Sequence, residues 1–396
     1  MENNNRNCKI YTDEKGEKHC RCFKRCGGCQ LDEPYKEQLA RKQAKAERLL
    51  SRYCKVEPII GMKEPYNYRA KVQNVYALSR GRIISGVYQS SDRRMVTIED
   101  CMLENKRAQR IVKAFKGIMK QLKLTPYDML SGRGVVRHTL IRISETTGEI
   151  MLVIVTNGAM LPAKKNLVSA LRRACPEITT VVQNICTDSL PLTLGSRSVT
   201  LYGKGCIEDE LCGCRFILSP GSFYQVNPKQ TEILYNTAVN AAGIEQGTKV
   251  IDAYCGTGTI GLICASRGAE VIGCELEPRA VKDAQRNAKL NGIESAKFFN
   301  ADAGSFMTEA AKEGYQCGVL IMDPPRAGAS REFITAAGVL SPERIVYVSC
   351  GIESLARDLS LFRKEGYRTR LIQPVDMFPH TMGIECCCLL EKKKDK

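Results

Sequence analysis

The chain has 396 residues, 43% hydrophobic and 26% charged, which is enough for two or three soluble globular domains. Lysine and arginine exceed aspartate and glutamate by 59 to 43, giving a net charge of +16 and a pI near 9.0, a balance suited to a polyanionic partner such as nucleic acid. No apolar run reaches the ~18 residues of a membrane-spanning helix, and Met1–Arg6 holds no apolar signal core, so a cytoplasmic protein with no membrane partner is expected.

Twenty cysteines stand in the chain. In a reducing compartment disulfides are not expected; some thiols should be ligands or nucleophiles, and the rest small hydrophobes. Cys20, Cys26 and Cys29 form C-x5-C-x2-C, with Gly27 and Gly28 between the last two. Glycines there let the backbone fold tightly enough for both thiolates to face one centre. Three soft ligands need a fourth, and Cys101, after the strand-like Met95–Ile98, is the choice. Zinc and an iron–sulfur cluster both accept four thiolates, and spacing alone slightly favours zinc.

Residues 35–53 read as a helix, with Leu39, Ala46, Leu49 and Leu50 at helical spacing. Arg41, Lys42, Lys45, Arg48 and Arg52 make the remainder basic, as expected of a solvated face. Short strands are predicted from Val72 to Ile98, a helix from Cys101 to Leu122, and strands again over 133–219, interrupted by a helix near 163–174. Cys206, Cys212 and Cys214 are taken as structural. From residue 229 onward helix and strand patterns alternate, the mark of a parallel sheet with covering helices. One boundary is expected near 220, dividing an α+β domain (1–219) from an α/β domain (220–396). The basic tail, Lys392–Lys396, is expected to fray.

In the second half, Lys249–Asp252 is a first strand and Cys255–Gly261 a glycine-rich turn into a helix. Glu275 closes the next strand, 19 residues after Gly256, where a carboxylate can accept from two ribose hydroxyls. Asp302 ends a third strand, suitably placed for an adenine amino group, and Asp323-Pro324-Pro325 a fourth. The glycine turn alone fits NAD, FAD or S-adenosylmethionine. Acids ordered along successive strand ends resemble the class I (Rossmann-like) S-adenosylmethionine methyltransferases. Amino-group methyltransferases put an aromatic after Asp-Pro-Pro, and Arg326 stands there, which argues against N-methylation.

Val346–Gly351 then presents Cys350 at a strand end. Pyrimidine C5 is a poor nucleophile until a thiolate adds at C6. A base must afterwards remove the C5 proton. Glu385 enters the apolar strand Cys386–Leu390 partly desolvated, which raises its pKa; His380 competes for the role.

Together Ser222–Asn227, Asp252–Gly256, Asp323–Gly328, Val348–Gly351 and Asp376–Thr381 with Glu385 resemble the RNA uracil-C5 methyltransferase family. The family usually has Ser-Cys-Asn at the nucleophile, so Gly351 is a departure. The resemblance implies Cys350 as nucleophile, Glu385 as base, and S-adenosyl-L-methionine contacts at Gln225, Tyr254, Glu275 and Asp323. Ribosomal-RNA members carry a [4Fe–4S] cluster on three clustered cysteines and a distant one, so the resemblance favours that cluster on Cys20, Cys26, Cys29 and Cys101. It implies uracil-C5 methylation of 23S rRNA, with tRNA as the alternative substrate, by a monomer. Many relatives begin with a small β-barrel RNA-binding domain, for which there is no room before Cys20. Cytosine-C5 enzymes place a cysteine after the proline where this chain has Arg326. A non-catalytic RNA-binding or assembly factor is the reading of a different class.

Overall fold

The computed structural model describes residues 8–14, 16–89, 94–188, 190 and 192–393. The chain opens with a hairpin, β1 (Ile10–Thr12) and β2 (Lys18–Cys20), then helix α1 (Tyr35–Leu50). Next come β3 (Lys71–Ser79), β4 (Arg82–Tyr88), β5 (Met95–Thr97), α2 (Lys106–Gln121), β6 (Val136–Ile143), β7 (Ile150–Thr156), α3 (Lys164–Ala174), β8 (Thr180–Ile185) and β9 (Arg197–Tyr202). A second hairpin, β10 (Ile207–Leu211) and β11 (Cys214–Leu218), leads to α4 (Pro228–Ala242). The rest alternates: β12 (Lys249–Ala253), α5 (Thr259–Ser266), β13 (Glu270–Glu275), α6 (Pro278–Leu290), β14 (Ala296–Asn300), α7 (Ala303–Lys312), β15 (Val319–Met322), α8 (Arg331–Leu340), β16 (Arg344–Ser349) and α9 (Ile352–Lys364), closing with β17 (Tyr367–Val375) and β18 (Glu385–Lys392).

The chain divides into two units, and it passes between them more than once. The first holds residues 1–34, 65–209 and 218–221; the second holds 35–64, 210–217 and 222–396. The expected single boundary near 220 therefore misplaces α1, whose apolar stripe packs with the second unit. Ala46 and Leu50 join a core with Ile345, Tyr347, Leu355 and Leu359. Helical periodicity reports that a helix has an apolar face, not what that face covers.

In the first unit a seven-stranded sheet runs β5-β4-β3-β6-β7-β8-β9. Pairing is antiparallel except between β7 and β8, which α3 connects as a crossover. Ile111, Phe115 and Ile118 of α2 and Leu167 and Leu171 of α3 bury against Val72, Tyr76, Ile141 and Ile154 of this sheet. The helix predicted from Cys101 begins only at Lys106, where Asn105 caps it by accepting from the Arg107 amide at 2.8 Å.

In the second unit the order is β14-β13-β12-β15-β16-β18-β17. Strands β12 to β16 are parallel, and β18 pairs antiparallel with both β16 and β17. The strand order reverses beside β12, which puts the ligand crevice beyond the carboxyl ends of these strands. The basic tail begins later than expected: Lys392 ends β18 and the Lys393 amide donates to Gly366, while residues 394–396 lie outside the described residues.

Candidate active site

The parallel register brings the strand-end acids to one edge of the second unit. Ala253 pairs with Cys274 on one side and Met322 on the other, so Tyr254, Glu275 and Asp323 leave the sheet side by side. The turn after β12 is held open by its own chemistry. Tyr254 adopts φ 62°, an uncommon conformation for a bulky residue and one that concentrates at ligand sites. Glu275 accepts from the Gly256 amide at 3.1 Å and from the Glu277 amide at 2.9 Å, tying the ends of β12 and β13 together. Gly261 must be glycine: a Cβ there would stand 2.7 Å from the Asp252 carboxylate, which accepts the Gly261 amide at 2.8 Å. A cavity of about 650 Å³ opens beside this turn, lined by Tyr254, Asp302, Ser305, Thr308 and Ser330.

The next strands position the expected pair, Cys350 and Glu385. Antiparallel pairing of β16 with β18 matches Ser349 with Cys386, so the following positions, Cys350 and Glu385, stand opposite each other. Glu385 is buried, and desolvation, then the nearby Asp323 carboxylate, push its pKa up to about 8 despite Arg326. Desolvation also pushes Asp323 up to about 7. Cys350 is half-buried, and its thiol is pushed up to about 11 by desolvation, then by Glu385 and Asp323, with Arg326 opposing. One thiol, two carboxyls and one guanidinium thus sense each other in a small space.

Tyr235 of α4 completes the group, and sequence reasoning missed it. Its buried hydroxyl hydrogen-bonds the Gln225 side chain and feels Asp323, Glu385 and Asp252; burial drives its pKa well above normal. A tyrosine within a helix carries no motif, so nothing local in the sequence marks it.

Two supports hold the site. Near Glu385, Asp376 is fully buried and accepts from Lys42 at 2.6 Å and Tyr35 at 2.8 Å, both on α1. Lys42 is thus buried as well, not part of a solvated face, and burial lowers its pKa against the pull of Asp376. Gln38 accepts from the His380 amide at 2.8 Å and contacts its ring at 3.1 Å, which engages His380 in holding the loop. Near Cys350, the first turns of α9 grip the segment after Asp323. Ser354 donates to the Arg326 carbonyl at 2.8 Å, and Asp358 accepts from Ala329 at 2.9 Å and Tyr347 at 2.7 Å. At Gly351 a Cβ would come within 2.7 Å of the Arg326 carbonyl, so glycine lets these two segments touch.

In the first unit, Cys20, Cys26, Cys29 and Cys101 come near one another. Burial, then Cys26 and Cys20, push Cys29 up to about 12, and Cys101, raised by desolvation first, also feels Cys29. Among the described residues no group of three or more His, Cys, Asp or Glu is arranged to hold a metal ion. Against expectation, Cys8 and Cys22 form a disulfide with their Cα atoms 5.1 Å apart, because Cys22 follows directly on the β1–β2 hairpin that Cys8 precedes. Cys212 lies in the tight β10–β11 turn and Cys214 begins β11.

Residues 210–393 match the family model for tRNA (uracil-5-)-methyltransferase. An uncharacterised RNA methyltransferase of Caldanaerobacter subterraneus is 40% identical over 94% of this chain and 84% of its own length. Another, from Halalkalibacterium halodurans, is 38% identical over 96% of this chain and 84% of its own. Among solved structures, the Pyrococcus abyssi tRNA (uracil-54, C5)-methyltransferase in complex with S-adenosyl-L-homocysteine superposes with a TM-score of 0.78 at 25% identity, covering 96% of this chain and 91% of that one. Among the described residues no helix is long and apolar enough to cross a membrane. A glycine turn and ordered acids at one parallel sheet edge, with these relatives spanning nearly the whole chain, establish that it belongs to the RNA (uracil-5-)-methyltransferase family of S-adenosylmethionine-dependent RNA methyltransferases.

Proposed function

We propose that the protein methylates C5 of a uridine in RNA through a temporary bond between Cys350 and the base. The observation that carries this reading is the pairing of Cys350 with Glu385 across β16 and β18, beside Asp323 and Arg326. S-adenosyl-L-methionine supplies an electrophilic methyl group, held by Gln225, Tyr254, Glu275 and Asp323. The target base leaves its stack at a cost of a few kcal/mol. Cys350 gives up its thiol proton to water and adds at C6, forming a C–S bond and shifting an electron pair to C5, which takes the methyl group as the methyl–sulfur bond breaks and neutral S-adenosyl-L-homocysteine is left. Glu385 then accepts the C5 proton, and the returning pair expels the thiolate. Buried Glu385 favours its neutral form at neutral pH in the free protein, so a cationic donor beside it would favour the carboxylate that acts as base.

Replacing Cys350 by alanine should abolish methyl transfer to RNA; turnover at the wild-type rate would end the covalent mechanism. Glu385→Gln should accumulate a protein–RNA adduct stable to denaturing electrophoresis. Prompt release of methylated RNA by that variant would remove the assignment of Glu385.

The four thiols of Cys20, Cys26, Cys29 and Cys101 are proposed to hold a [4Fe–4S] cluster. Their donor chemistry fits: burial raises the pKa of Cys20, Cys29 and Cys101, and a cationic centre among these thiols would favour the thiolates that a cluster needs. The cluster would tie Cys101 to the N-terminal segment. Anaerobic purification should give a brown protein with about four irons; stoichiometric zinc would overturn this.

The favoured substrate is 23S rRNA, because the cysteine quartet resembles that of the ribosomal-RNA members. A tRNA substrate is the second reading, favoured by the likeness to the P. abyssi tRNA enzyme. Mapping 5-methyluridine in both RNA classes with and without the gene separates the two.

A further inference from the structure

Helices α2 and α3 lie side by side on one face of the first unit's sheet, so their outer surfaces form one continuous face. Between them they carry ten lysines and arginines and not one aspartate or glutamate. Along α2 the positions Lys106, Arg110, Lys113, Gly117 and Lys120 are exposed and form one stripe about 21 Å long at 1.5 Å per residue, with Gln121 exposed at its end. Carboxylates from outside the helices reach only the start of α2: Asp100 pairs with Lys106, Glu145 with Arg107 and Glu177 with Arg110. Beyond that turn, Lys113, Lys116 and Lys120 have no ion pair among the described residues, nor do Lys165 and Arg173 of α3.

Gly117 is the second observation. A glycine inside an exposed helix costs stability, and a close neighbour usually explains it. Here a Cβ would meet nothing within 4 Å, so nothing within the described protein asks for glycine. It leaves a notch in the middle of the cationic stripe, through which a partner's backbone can reach the helix.

We propose that this face binds the phosphate backbone of RNA, with Lys113, Lys116 and Lys120 flanking the Gly117 notch. The inference rests on RNA being the substrate and gives it a contact surface on the side of the sheet opposite Lys71 and Arg142. Phosphate contacts carry no sequence information; they fix register and add salt-sensitive affinity.

The test uses the full-length protein and polyuridylic acid. Affinity is titrated with salt for wild type, for K113Q/K116Q/K120Q, and for R363Q/K364Q/R368Q, which removes the same charge from exposed positions of the second unit. The α2 variant should lower the slope of log K against log salt by about 2, from roughly 0.7 per lost contact. The control should leave the slope unchanged. A Gly117→Gln variant should also weaken binding, whereas Gly117→Ala should not. Circular dichroism verifies that each variant keeps its helices. Equal slopes for wild type and the α2 variant, or an equal loss in the control, overturn the surface. Absence of methyl transfer to any RNA by the wild-type enzyme would instead overturn the functional reading, so the two failures are distinct.

Discussion

The two seven-stranded sheets bury opposite charges. In the second unit the buried acids at the strand ends are pushed upward: Asp252 to about 7, Asp323 to about 7 and Glu385 to about 8, with desolvation the first cause each time. In the first unit the basic groups on β3 and β6 are pushed downward. Lys71 falls to about 8 through burial and then Arg142, and His138 to about 4 through burial and then Arg137. Each sheet therefore holds groups that would be better charged. The acids await a cation, and S-adenosyl-L-methionine brings one on its sulfonium. The bases are suited to an anion, and RNA is a chain of them. The contrast teaches that a binding site can be recognised by the charge it cannot satisfy alone.

The largest effect tests the acidic side. Glu385→Gln should slow completed turnover by about 10²–10⁴-fold, the usual worth of a positioned acid–base group. A rapid-quench assay of product release would measure it, and a loss below tenfold would break the link between buried acid and chemistry.

Stability should fall with rising pH more steeply in the second unit than in the first. A carboxyl whose folded pKa is raised holds its proton when the unfolded chain has lost it, so the second unit should lose stability as pH rises from about 4.5 to 8. The slope is about 1.4 kcal/mol per pH unit for each such acid, and Glu385→Gln should flatten it. His138 of the first unit reverses the sign: its folded pKa lies below its unfolded one, so it adds stability as pH rises from about 4 to 6.5, while Glu104 of the same unit, raised to about 7 by burial, opposes it from about 4.5 to 7. Hydrogen exchange of core amides in each unit reads the two slopes separately. Equal slopes in the two units would dissolve the contrast.

A smaller effect sharpens it. Binding S-adenosyl-L-methionine near pH 7 should release a fraction of a proton from the acidic edge, because a nearby cation favours carboxylates. S-adenosyl-L-homocysteine, lacking the sulfonium charge, should release less. Calorimetry in buffers of different ionisation enthalpy measures both, and equal release would mean the acids do not face the sulfur. The mildest change is Gly351→Asn. It should cost about 1–3 kcal/mol in thermal unfolding, since the new Cβ meets the Arg326 carbonyl at 2.7 Å.

Much of the second unit was legible because its strands end on chemistry. Asp252, Glu275, Asp323 and Cys350 each close an apolar run, and period and composition are local signals. What stayed hidden was long-range. Lys42 sits in a row of basic residues and looks solvated, yet it is buried on Asp376. Tyr235 has no neighbour in sequence that marks it, and its partners Gln225, Asp323 and Glu385 come from separate segments. The Cys8–Cys22 disulfide depends on a hairpin that spacing does not announce. The placement of α1 failed for the same reason: a helix's sequence gives the width of its apolar stripe and not the address of its partner.

That displaced helix has a consequence for how the protein is made. Lys42 emerges from the ribosome 334 residues before Asp376, the only carboxylate it pairs with among the described residues. Until then Lys42 has no such carboxylate beside it, although Ile345, Tyr347, Leu355 and Leu359 are already there to cover Ala46 and Leu50. A nascent chain cut short between α9 and Asp376 would thus have the apolar partners of α1 but would have to bury the Lys42 ammonium group without its counter-charge, a conflict that only the segment carrying Asp376 resolves.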